Sequence, residues 1–164
     1  MNQGNNPLYG GSKVAIGTWD AATTTWANNA SASCTAGSIW IPDGALITKA
    51  FYHVATTCAD GNDDSQTLAL GYTGATGAFV AAVAISGSTN VWDAGAHGTL
   101  VGMGAALGAD AAHDTALEVI ALNAATFIHL TAAKELLLTT ADDEAVEVGK
   151  LSLFVEYVQT GDFS

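Results

Sequence analysis

Alternating apolar and polar positions recur in short runs along this chain and predict strands rather than helices. The longest run, residues 45–57, carries large apolar side chains on both faces, whereas alternate residues from Leu151 to Tyr157 share one face that should be core. Gly and Asp clusters separate the runs and indicate tight turns. Strands are predicted at residues 13–19, 38–42, 45–57, 66–72, 99–102, 117–122, 126–131, 134–140 and 150–158.

The spacing of apolar residues in one run, residues 78–85, does not distinguish a helix from a strand. Its alanines favour a helix, its valines favour a strand, and it is too short for the spacing to decide. We predict a short helix there. With several short strands and no helix-length amphipathic segment, the chain is predicted to be all-β. The expected architecture is an antiparallel β-sandwich with at most one or two short helices.

The first 37 residues differ in composition from the rest. They are rich in Gly, Thr, Ser and Asn, and their charge is limited to one lysine and one aspartate. Their large aromatic residues are Tyr9, Trp19 and Trp26. A disordered tail rarely carries aromatics at this density, so we interpret residues 1–37 as an extended arm that docks on a neighbour. A flexible tail is the alternative. Residues 38–164 are then the β-sandwich domain.

The charge balance excludes several classes of partner. Sixteen acidic residues face four lysines and no arginine, giving a formal net charge of −12. Nucleic acid is excluded because its phosphates need Lys and Arg, and anionic membranes are disfavoured for the same reason. No run approaches the ~20 apolar residues of a membrane span. Only 12% of residues are charged, which predicts that copies of the chain or a larger scaffold cover part of its surface.

The acidic loop that begins at Asp60 is the best candidate for an ion site. Asp60, Asn62 and Asp64 match the first ligands of a calcium loop, but Ser65 and Gly71 occupy the positions that need Gly and Glu. An EF-hand is therefore excluded. A calcium site of another kind stays open beside a solvated loop, and no histidine has the spacing of a zinc site.

No catalytic motif is visible, so we expect neither an enzyme nor a bound cofactor. The glycines of residues 102–108 lack the GxGxxG spacing and its strand–helix surroundings. Paired carboxylates stay open, because their separation in space cannot be read from a sequence. Cys34 and Cys58 are interpreted as two free thiols packed as small hydrophobic groups, in preference to a disulfide.

Several segments, taken in their order along the chain, resemble those of a known family of proteins. The segments are residues 41–54 (IPDGALITKAFYHV), 67–71, 80–86 with 91–95, and 149–158. Together they resemble small structural proteins of tailed bacteriophages, over most of the chain after residue 37. Such proteins are often jelly-roll or related β-sandwich modules. Some are trimeric cement proteins that decorate the capsid, and others belong to tails or fibres.

The resemblance implies a virion structural protein, assembled in the host cytoplasm and placed on the capsid surface. Its partners would be itself, as a homotrimer, and the major capsid protein. The aromatic residues expected at contacts are Tyr9, Trp19, Trp26, Trp40 and Trp92, although each also fits an ordinary core position. The alternative is a tail or fibre module in which Trp40 and Trp92 stack on host-surface glycan.

Overall fold

The structure is a computed structural model that describes residues 11–24, 26, 31–61, 65–86, 91–100, 128–141 and 145–159. Every regular element in these ranges is a β-strand, so the all-β prediction is confirmed. The strands are β1 (Lys13–Asp20), β2 (Ser31–Ala32), β3 (Trp40–Ile41), β4 (Ala45–Asp60), β5 (Thr67–Tyr72), β6 (Ala75–Ala84), β7 (His97–Leu100), β8 (Ile128–His129), β9 (Lys134–Ala141) and β10 (Val146–Gln159). The predicted strand at 117–122 lies outside the described residues.

The strands form two antiparallel sheets with nested pairing. The first sheet has the order β1-β10-β4-β7, with β8 beside β4, and the second has the order β2-β9-β5-β6, with β3 beside β9. The outermost strands of the sequence thus pair with each other, and the pairs then nest inward to the β5–β6 hairpin. This nesting is the topology of a jelly roll, in which a long folded hairpin is rolled into two packed sheets. The predicted β-sandwich is confirmed.

A β-bulge in β4 explains why residues 45–57 carry apolar side chains on both faces. Thr48 is an extra residue between Ile47 and Lys49, which pair with consecutive residues of β10. Its hydroxyl donates a hydrogen bond to the carbonyl oxygen of Glu156, 3.2 Å away. An extra residue exchanges the two faces of a strand. The buried positions accordingly change parity, from Ala45 and Ile47 before the bulge to Ala50, Tyr52 and Val54 after it.

The structure differs from the predicted division at residue 37. Lys13–Asp20 form β1, an integral strand that pairs with β10 in unbroken register. Ala15 and Trp19 are buried in the core between the sheets. The low charge of this segment suits a strand that packs on the core, and Gly17 lies where a Cβ atom would meet Trp19 at 2.7 Å. Residues 1–10 lie outside the described residues.

The predicted short helix at 78–85 is wrong. Most of this run lies in β6, and Ile85 follows the end of the strand. The strand pairs with β5 through Leu68↔Val83 and Leu70↔Val80. A turn at Gly74, whose φ is +91° and suits glycine, begins the hairpin. Cross-strand pairing and burial of Phe79 thus override the helix preference of the alanines.

The core fills the space between the two sheets. Its largest fully buried side chains are Trp19, Trp26, Trp92, Tyr52, Ile41, Ile47, Leu68, Leu70, Leu136, Leu138, Leu151 and Leu153. Leu151 and Leu153 lie on the face of β10 that the alternation predicts as core. Both sheets and the loop that carries Trp92 contribute to one continuous cluster. The opposite faces of the two sheets are turned away from this core.

Candidate interaction surface

Three of the aromatic residues expected at contacts are fully buried. Trp19 donates its indole N–H to the carbonyl oxygen of Ala32 at 3.1 Å, and Trp92 donates to that of Val83 at 3.0 Å. Trp26 forms an isolated bridge with Val146. All three have 0% exposure in this chain. They occupy the interior because a β-sandwich of this size needs large side chains between its sheets, so they present no surface to a partner in this fold.

The other two predicted contact residues have different outcomes. Tyr9 lies outside the described residues. Trp40, on the short strand β3 beside β9, is 52% exposed. It is the one predicted contact tryptophan that remains available on the outside of the described fold. Its interface role stays a prediction.

A row of apolar side chains crosses the outer face of the first sheet. Ile16, Phe154 and Phe51 lie side by side on β1, β10 and β4, in direct cross-strand register. The rings of Phe51 and Phe154 are stacked, with centroids 4.6 Å apart and planes 7° apart. Ile16 is 47% exposed at the end of this row. We call Ile16, Phe154 and Phe51 the outer row.

The neighbouring row mixes apolar and charged groups. Val14, Glu156 and Lys49 occupy consecutive strands beside the outer row, and Val14 is 51% exposed. The ammonium nitrogen of Lys49 lies 5.8 Å from the centroid of the Phe51 ring, a cation–π distance. Val14 and Ile16 therefore form a charge-free apolar end of this face on β1. Sequence reasoning missed both residues, although their alternation within 13–19 was the available signal.

No cluster of three His, Cys, Asp or Glu side chains suited to a metal ion occurs among the described residues. Asn62 and Asp64 of the candidate calcium loop lie outside those residues. Likewise, no helix in the described part of the chain is long and apolar enough to cross a membrane.

The two cysteines are free and buried, in agreement with the prediction. Burial raises the pKa of the Cys34 thiol to about 11 and that of Cys58 to about 12, since a thiolate loses its hydration in the interior. Reactive cysteines need the opposite shift and solvent access. Both thiols therefore serve as small packing groups.

These observations define the class of the protein as a jelly-roll β-sandwich that exposes apolar side chains on its outer surfaces. No family model and no curated protein matches the chain. Its fold is similar to a chain of the capsid asymmetric unit of cyanophage Pam1, with a TM-score of 0.51, 14% identity and 96% of both chains covered. A chain from the capsid of Ralstonia phage GP4 has a TM-score of 0.48 and 15% identity, covering 90% of this chain and 84% of that one. The likeness to the Pam1 chain shows a shared fold.

Proposed function

We propose that this protein is a phage virion structural protein that cements the capsid, acting by contact rather than by catalysis. It would bind as a homotrimer at junctions between subunits of the major capsid protein, on the outside of the shell. The observation that carries the proposal is the fold shared with the Pam1 capsid chain over 96% of both chains. The resemblance of several sequence segments to small phage structural proteins supports it independently.

The surface suits a protein that adheres through many weak contacts. Trp40 and the outer row offer apolar area, and burying one large apolar side chain contributes about 1.5–3 kcal/mol. Contacts of this size are modest for one copy but accumulate when symmetry repeats them over a shell. The net charge of −12 would limit nonspecific aggregation of the free protein.

The alternative of a glycan-binding tail or fibre module has less support. It needs exposed aromatic rings that can stack on sugars. Trp92 has 0% exposure and its indole N–H is hydrogen-bonded inside the fold. Trp40 alone remains for that role, and one exposed tryptophan suits a protein contact equally well.

Binding to shells tests the proposal directly. Purified protein is mixed with empty shells of the major capsid protein from the same virus, sedimented, and counted per shell by mass spectrometry. We expect saturable binding at roughly hundreds of copies per shell, because symmetry repeats the same junction site many times on one shell. We also expect the bound protein to raise the temperature at which the shells disassemble. Failure to sediment with the shells at any concentration would overturn the proposal.

A matched pair of variants locates the contact. Trp40→Ala should reduce occupancy, whereas Val148→Ala, at a site of similar exposure (50% against 52%), should not. An arm is tested by removing residues 1–10 only, because β1 begins at Lys13 and a deletion to residue 37 would remove a strand of the sandwich. Loss of shell binding with unchanged melting temperature would identify an attachment segment in those ten residues.

A further inference from the structure

We propose that the outer edge of β1 is a self-association site, at which β1 of one copy pairs antiparallel with β1 of a second copy about a two-fold axis at Ala15. The inference goes beyond the proposed function, because it concerns contacts between copies of this chain and holds in solution as well as on a shell. It rests on the hydrogen-bonding pattern of β1, on its exposed side chains and on its charge.

The hydrogen bonds show which groups of β1 face outward. The carbonyl oxygen of Thr18 accepts a bond from the Thr35 amide at 2.9 Å, on the side away from β10. Main-chain groups of alternate residues point to the same side of a strand. The N–H and C=O groups of Val14 and Ile16 therefore also point away from β10. Within the described residues β1 pairs with β10 alone, so these groups form an open edge.

The edge lacks the features that normally block strand pairing. Soluble proteins protect such edges with internal charges, proline or bulges. β1 has no proline, no ionisable residue between Lys13 and Asp20, and an unbroken register against β10. Its outward side chains, Val14 and Ile16, are about half exposed and β-branched, a type that packs well across strands. An edge of this kind fits a strand partner.

The side-chain pattern of β1 is self-complementary, which makes a second copy the fitting partner. The net charge of −12 opposes association of two copies, so contact is confined to a segment without charge, such as the one between Lys13 and Asp20. With the axis at Ala15, Lys13 faces Gly17, so no like charges are opposed. Asp20, at the end of the strand, is neutralised by Lys150 at 2.9 Å.

The register follows from the same groups. An axis at Ala15 places Val14 opposite Ile16 of the second copy, and these two residues exchange both main-chain hydrogen bonds. The two-fold axis generates the same two bonds between Ile16 of the first copy and Val14 of the second. It also continues the outer row of one copy into Val14 of the next. The bond from Thr35 already occupies the carbonyl of Thr18 and limits pairing at that end. A single strand pair is smaller than the ~800 Å² per partner of a stable interface, so the association is weak and appears at high concentration.

Charge substitutions at the facing positions test the pairing and its register. The double variant Val14→Lys with Ile16→Glu places opposite charges face to face across the axis, so it should associate at least as well as the native chain. The matched variant Val14→Lys with Ile16→Lys should associate about tenfold more weakly or worse. Sedimentation equilibrium over a range of concentrations measures both. Equal behaviour of the two variants would overturn the proposal.

Amide exchange of the native chain supplies a readout that does not depend on substitution. Protection of the Val14 and Ile16 amides should rise about tenfold or more with protein concentration, whereas Ala15 and Gly17, already bonded to β10, should not change. Protection of Val14 and Ile16 that is independent of concentration and disappears when residues 1–10 are removed would assign the edge to the chain's own N-terminal segment instead. Unprotected amides at every concentration would also contradict the proposal. Val148→Lys serves as the surface control, and circular dichroism verifies that each variant is folded.

Discussion

β1 and β10 are antiparallel neighbours in one sheet, yet they distribute their large side chains in opposite ways. β10 turns Leu151 and Leu153 into the core. β1 turns Ala15 and Gly17 inward and leaves Val14 and Ile16 about half exposed. The difference comes from the space that neighbours leave. A Cβ atom on Gly17 would lie 2.7 Å from the Trp19 ring and 2.8 Å from the Cys34 sulfur, so these two side chains already fill the core above β1.

The comparison shows that side-chain size alone does not identify the buried face of a strand. Over β10 the core is filled by the strand's own leucines, whereas over β1 it is filled by Trp19 at the strand's end and by Cys34 from outside the strand. The apolar residues that β1 does not need for the core remain on the surface, at a strand edge that no other strand pairs with among the described residues. One strand can therefore supply core residues and also the edge for which self-association is proposed.

The largest expected effect tests whether β1 is a core strand of the sandwich or a detachable arm. Trp19→Ala removes a fully buried ring and its hydrogen bond to Ala32, and should lower the free energy of unfolding by about 3–5 kcal/mol. Trp40→Ala, at a half-exposed site, should change it by no more than about 0.5 kcal/mol. Denaturant unfolding measures both. Equal, small effects would contradict the role of Trp19 as a core residue of the sandwich.

This contrast also explains what the sequence could predict. The leucines of β10 alternate strongly, so its strand and core face are visible without a structure. In β1 the larger residues alternate on the outer face, and Trp19 in a charge-poor segment is as compatible with an arm as with a core. The face exchange at Thr48 depends on a bulge that sequence periodicity does not show. The open edge depends on strand order, which only the fold supplies.

A smaller effect is expected from Gly17→Ala. The added methyl would overlap the Trp19 ring and the Cys34 sulfur, and overpacking of a close-packed core costs about 1–3 kcal/mol. Gly11→Ala is the matched control, since a Cβ there meets nothing within 4 Å. Unfolding midpoints in urea would show the loss for Gly17→Ala only. A neutral Gly17→Ala would mean that Trp19 can move, and would weaken the explanation given for the small inward residues of β1.

The smallest expected effect concerns the ion pair that joins β1 to β10. The ammonium nitrogen of Lys150 lies 2.9 Å from Oδ2 of Asp20. The hydrogen bond that Lys150 donates lowers the pKa of the Asp20 carboxyl below its ordinary value of 3.8. A carboxyl with a lowered folded-state pKa stabilises the fold above its unfolded pKa, and this contribution is lost as pH falls through the folded value. Lys150→Gln should therefore lower the melting temperature slightly at pH 7, and the difference from the native chain should close below about pH 4.

Lys13→Gln, which removes a lysine of β1 without an ion pair among the described residues, corrects for the change in net charge. A difference between Lys150→Gln and Lys13→Gln that persists unchanged at low pH would mean that Lys150 stabilises the strand pair through packing of its methylene chain rather than through Asp20.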